Sequence, residues 1–203
     1  MIDHSARHYA ARTHDKMREV LKDPAASGPA VHYHMTRGGS SQRNVTVWEP
    51  GTVGGEYIKT YGHYHVGDLD ETYWILLGEG VAIIQKRAEG PDGPIDEEIE
   101  NIYAVQVKPG DALYMPSGWG HLVVNTANTF LVTADDSPVD FGEKEAVSLP
   151  GHADYEPVRR MAGFAYYVVE KDGRPALERN PRYRKVPDIG IIAARDYPLK
   201  RPG

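Results

Sequence analysis

From Val31 to Asp135 the chain is cut into short apolar or alternating runs, among them VHYHM, VTVWEP, EYIKTY, TYWILLG, GVAIIQKR, IYAVQVKPG, ALYMP, HLVVNT and FLVTAD, with Gly, Pro or polar turn residues between them. Such spacing leaves no room for the crossover helices of a parallel sheet, so a mainly β fold, an antiparallel sandwich or barrel, is expected. The flanks read differently. In HDKMREVLKDP, Met17, Val20 and Leu21 fall on one helix face and Pro24 ends the pattern, so residues 1–30 read as a helical lead-in. Residues 31–140 then form the barrel. Residues 141–203 form an extension that packs on it, with a hairpin turning at Asp172-Gly173 in GFAYYVVEKDGRPALERNP. The acidic insert AEGPDGPIDEEIEN reads as a long exposed loop between two strands. The last run, DIGIIAARDYPLKRPG, fits no element by its pattern.

Inside the barrel, TYGHYHVGDLDETYWILLGEG holds the densest chemistry. Side chains alternate along a strand, so His63 and His65 project to one face. Glu71 opens the next run and returns beside them if the two segments pair. His121, at the head of HLVVNT, can close a set of three imidazoles and one carboxylate. The chain has no cysteine, which excludes disulfides, thiolate nucleophiles and Cys-ligated metals. A nitrogen and oxygen shell of this kind suits one divalent ion, Fe2+, Mn2+, Zn2+ or Ni2+. His32 and His34 also stand two apart on a strand and can line the same cavity, although core or surface placement is the commoner outcome for such residues. His4, His8, His14 and His152 read as surface residues. A net charge of -6 and a pI near 5.8 argue against nucleic acid as a partner, and the short basic cluster ERNPRYRKVP reads as a solvated tail. The N-terminal stretch lacks the apolar core of a signal peptide, and no apolar run approaches the roughly 18 to 20 residues of a membrane span. A soluble cytoplasmic protein with no membrane partner is expected.

The order of these residues resembles the cupins. His63, His65, Glu71 and Gly78 follow the first cupin motif, with a longer gap before Glu71 and with Tyr57 where a glycine is usual. Gly110, Pro116, Gly118, His121 and Asn125 follow the second motif. That resemblance implies a double-stranded β-helix, or jelly-roll barrel, and a His3Glu metal site with Fe2+ or Mn2+ foremost. A closer resemblance, carried by TVWEPGTVGGEYIKTYGHYHVGDLDETYWILLGEGVAIIQ, YMPSGWGHLVVN and the segment from Gly163 to Arg182, is to the cupin-type glucose-6-phosphate isomerases.

This closer resemblance implies a homodimeric enzyme of glycolysis or gluconeogenesis acting on a small sugar phosphate. Thr46, Thr60 and the Gly62 backbone would hold the phosphate, while Glu71 and Tyr73 would face the reacting carbons. For Thr60 to face inward with His63, Gly62 must break the strand alternation. The departures lie at the substrate: Val139 and Phe141 replace a histidine and a tyrosine, Tyr61 replaces a lysine, and an early tyrosine falls at His32 or Tyr33. His32 and His34 are the available imidazole substitutes. The expected reaction interconverts glucose 6-phosphate and fructose 6-phosphate through an enediolate, with Glu71 as base. The alternatives are a sugar-phosphate-binding cupin without turnover and a cupin dioxygenase or decarboxylase.

Overall fold

The computed structural model describes residues 9–38, 43–138 and 153–201. Strands β1 (Tyr9–Thr13), β2 (Val31–Thr36), β3 (Asn44–Trp48), β4 (Thr52–Val53) and β5 (Glu56–Tyr57) lead to β6 (His63–His65) and β7 (Glu71–Leu77). The long hairpin of β8 (Gly80–Gly90) and β9 (Gly93–Val107) follows, then β10 (Ala112–Met115), β11 (Gly120–Asn125) and β12 (Leu131–Asp135). The described chain is completed by β13 (Ala153–Asp154), β14 (Tyr166–Lys171), β15 (Arg174–Arg179) and β16 (Ile191–Ala193). Two six-stranded sheets, ordered β1-β2-β3-β12-β7-β10 and β13-β6-β11-β8-β9-β16, make the mainly β, antiparallel architecture that the turn-rich runs predict, in the jelly-roll form that the cupin resemblance implies. The hairpin β14-β15 turns at Asp172 and Gly173, both at positive φ as a two-residue hairpin turn requires. It joins β5 and β4 in a third sheet.

The core lies between the two large sheets. Along β3 burial alternates, with Asn44, Thr46 and Trp48 facing inward. Register carries that face outward along the first sheet in three successive rungs. Arg12, Tyr33, Trp48 and Leu131 form the first. Ala10, Met35, Thr46, Thr133 and Ile75 form the second. Asn44, Asp135 and Tyr73 form the third, and Arg37 continues the inward row of β2 two residues past Met35.

Several sequence readings change. The described part of the lead-in is mostly not helical: β1 pairs with β2, followed by one short helix, α1 (His14–Met17), and a 3-10 turn over Arg18–Val20. Met17, Val20 and Leu21 are buried as their spacing predicts, but a four-residue helix holds only through such packing. The acidic insert is not a loop. It continues β8 and β9, because its carboxylates find cations: Asp96 meets Arg87 and Arg160, Glu98 meets Arg184, and Glu100 lies 3.0 Å from Lys86. The unplaced C-terminal run supplies β16, parallel to β9, and buries Tyr197.

His32 and His34 do not line the cavity. Tyr33 and Met35 face inward, so alternation turns both histidines to the opposite face of β2. There His32 Nε2 lies 3.0 Å from Nδ1 of His14, which is buried and not a surface residue, and His34 Nδ1 lies 2.7 Å from the Tyr9 hydroxyl.

Burial, with His14 and Lys59 adding to it, pushes the pKa of His32 down to about 4. In the unfolded chain a histidine titrates near 6.5. Between these values the unfolded state holds a proton that the folded state lacks, so stability falls as the pH drops from about 6.5 toward 4 and is untouched above that window. Urea midpoints across this range should therefore fall more steeply for the wild type than for His32→Gln; parallel curves would count against the assignment.

Candidate metal centre

Four side chains from three strands meet between the sheets. β6 presents His63 and His65, β11 presents His121 opposite His63, and Glu71 comes from β7 of the facing sheet. His121 is the hub. Its Nε2 lies 3.1 Å from His65 Nε2, 3.3 Å from His63 Nε2 and 2.8 Å from Glu71 Oε1. Glu71 Oε1 is also 3.2 Å from His65 Nε2, and one donor atom from each of the four lies within 4.8 Å of the others. The long gap before Glu71 does not displace it.

This set fits a divalent ion. Donors sharing a metal through bonds of about 2.1 Å stand about 3.0 to 3.4 Å apart. His65 Nδ1 lies 3.3 Å from the Pro116 carbonyl, a partner that fixes the tautomer with Nε2 free to ligate. Burial pushes His63 well below the usual histidine range, helped by His121 and His65, and burial lowers His121 despite Glu71. For Glu71 burial alone would raise the carboxyl, yet His121 and His65 hold it well below the usual range. Neutral imidazoles and an ionised carboxylate are the protonation states a metal requires.

The sequence profile of the glucose-6-phosphate isomerase (GPI) family matches residues 31–186. The chain belongs to this family. It is 31% identical over 141 residues to a glucose-6-phosphate isomerase of Thermococcus litoralis, covering 69% of this chain and 63% of that one. It is 30% identical over 142 residues to that of Pyrococcus furiosus, covering 70% and 64%. The match thus spans just under two thirds of those relatives' own length. Among solved structures, the cupin domain of Drosophila melanogaster CENP-C aligns over 55% of this chain and 72% of its own at 12% identity and a TM-score of 0.39.

Around the four donors the structure sorts the other expected site residues. Tyr73 is buried with its ring edge-on to His121, centroids 5.2 Å apart, and burial, reinforced by Glu71 and Asp135, raises its phenol well above the usual range. It therefore stays neutral. Thr46 is buried on the second rung. Thr60 lies just before β6, where its hydroxyl accepts the Val123 N–H at 3.0 Å. Gly62 has φ +80°, and a Cβ there would stand 2.9 Å from the Phe164 ring, so it breaks the alternation as only glycine can. The Tyr61 N–H donates to the Tyr33 hydroxyl at 3.3 Å, tying the Thr60–Gly62 turn to the first rung. Tyr33, not His32, is thus the inward residue of that pair. Val139 and Phe141 lie outside the described residues.

Not every motif residue belongs to the candidate metal set. Asn125 of the second motif is a structural clamp whose Nδ2 donates to the carbonyls of Glu49 and Thr129 at 3.1 and 2.8 Å.

Sequence reading missed Arg37, Asp135 and Tyr155. Arg37 Nη1 is 3.7 Å from Asp135 Oδ2, while Asn44 Nδ2 donates to Asp135 Oδ1 at 2.6 Å. Burial and then Glu71 push Asp135 up to about 6. Tyr155 lies over the site with its ring 5.3 Å from that of His63. The period-2 row Tyr33-Met35-Arg37 was the available signal for the arginine.

Proposed function

We propose that the chain is a metal-dependent aldose–ketose isomerase that interconverts glucose 6-phosphate and fructose 6-phosphate. The observation that carries this reading is the convergence of His63, His65, Glu71 and His121 beside Tyr73, in a member of the glucose-6-phosphate isomerase family. His63, His65, Glu71 and His121 would hold a divalent metal, Fe2+ or Mn2+ foremost, which would supply Lewis acidity at the reacting end of the open-chain sugar. Glu71 keeps Oε1 among the imidazoles and offers its other oxygen to the proton that moves between C2 and C1 through an enediolate. Tyr73, a neutral phenol, donates to an oxygen at the reacting end. The inward residues then follow the length of the substrate: Tyr73 at the reacting carbons, and Thr46, Thr60 and the Gly62 amide at the phosphate. The Thr60 oxygen accepts the Val123 N–H at 3.0 Å, and its hydroxyl reaches the Val123 carbonyl only at 3.5 Å, a long bond that a phosphate oxygen would replace.

Incubating the metal-loaded chain with glucose 6-phosphate in deuterium oxide should give fructose 6-phosphate carrying deuterium at C1. Product without deuterium would point to a hydride shift, and no product from the metal-replete chain would sink the isomerase and leave a sugar-phosphate-binding protein. Thr60→Val separates binding from packing. It removes the acceptor of Val123 N–H, so a loss of about 1 to 3 kcal/mol in stability is expected. It should also weaken fructose 6-phosphate by about tenfold or more; unchanged affinity would return Thr60 to a structural part.

A further inference from the structure

Arg12 lies on β1, ahead of the residues matched by the family profile. Its pairing with Tyr33 sets it on the inward face of the first rung. Its guanidinium hydrogen-bonds the phenols of Tyr33 and Tyr155, while its Nε is buried without a hydrogen-bond partner. Among the described residues no carboxylate forms an ion pair with it, whereas Arg87, Arg160, Arg184 and Arg201 all have one. Phenol oxygens satisfy part of the guanidinium fork but bring no countercharge, and an anion entering the site would supply one and reach the unpartnered Nε. Its end of the barrel interior adjoins the Thr60–Gly62 turn. The Tyr33 hydroxyl beside Arg12 accepts the Tyr61 N–H of the Thr60–Gly62 turn, and the Tyr155 ring lies 5.6 Å from that of Tyr61 and 5.3 Å from that of His63. Hydroxyls and a glycine amide can orient a phosphate but carry no charge to balance it, and a guanidinium supplies both charge and a planar fork of donors.

We propose that Arg12 is the cationic partner of the substrate's phosphate, reaching in from β1 to complete the subsite of Thr46, Thr60 and Gly62. The phosphorylated substrate class rests on the isomerase reading above. Calorimetric titration of the metal-loaded full chain with fructose 6-phosphate, inorganic phosphate and unphosphorylated fructose tests it. Arg12→Gln should weaken fructose 6-phosphate and inorganic phosphate by about ten- to a hundredfold while fructose affinity and metal content hold. Arg12→Lys keeps the charge and should recover part of the loss; it carries the test if the glutamine variant does not fold. The wild-type affinity for fructose 6-phosphate should also fall more steeply with added salt than that of Arg12→Gln. Unchanged phosphate binding in Arg12→Gln, or an equal loss for fructose, would overturn the assignment. The two readings fail separately. Turnover in the wild type with unaltered binding in Arg12→Gln removes Arg12 alone, and Arg12-dependent phosphate binding without turnover removes the isomerase alone.

Discussion

A His121→Ala chain should fold, bind no metal and lose the proposed isomerase activity by at least about a thousandfold. His121 is the donor closest to each of the others, at 2.8 to 3.3 Å, so its loss removes the hub and not one corner of the set. Its Nδ1 has no hydrogen-bond partner, so the alanine strands no polar atom that was bonded through that nitrogen. Metal analysis and thermal unfolding with and without added ion check the result. A ligand present at about a hundred times its Kd stabilises a protein by about 2.7 kcal/mol, so added metal should raise the unfolding temperature of the wild type and leave that of the variant unmoved. Stoichiometric metal in His121→Ala would remove this set as the centre.

Lys59→Met should cost about 3 to 5 kcal/mol of stability, a large share of the roughly 5 to 15 kcal/mol that a domain has. Lys59 Nζ is 2.5 Å from Glu56 Oε1 with both side chains nearly inaccessible, and it also donates to the Val20 carbonyl at 2.7 Å. Methionine fills the same volume but leaves the Glu56 carboxylate buried without its cation. The pair matters to the site as well, because Lys59 immediately precedes Thr60 and ties the strand entering the Thr60–Gly62 turn to the N-terminal segment. Chemical denaturation of Lys59→Met, Glu56→Leu and the double variant checks it. The double variant should cost less than the sum of the singles, since no lone charge remains. A loss below about 1 kcal/mol in Lys59→Met would show that the pair is not electrostatically committed.

Much of this protein was legible one residue at a time. Alternation along a strand places His63 and His65 on one face whatever the sheet does, and the turn-rich runs leave few options but an antiparallel barrel. The Asp172-Gly173 turn is equally local, because its conformation is set by two residues.

What the sequence could not supply was the choice between faces. VHYHMTR alternates equally well with His32 and His34 inward or with Tyr33, Met35 and Arg37 inward. Only the pairing of β2 with β3, which sets Tyr33 opposite Trp48 and Met35 opposite Thr46, decides it. The acidic strand of β9 looked like a loop because Arg160 and Arg184, which neutralise it, lie far along the chain. Arg12 was hidden for the same reason: its role depends on β1 adding to the edge of β2, a long-range pairing that a local helix pattern over Met17, Val20 and Leu21 concealed. Local periodicity determined which residues travel together; the pairing of distant strands, which buries one face and exposes the other, decided which of them meet at the candidate metal centre.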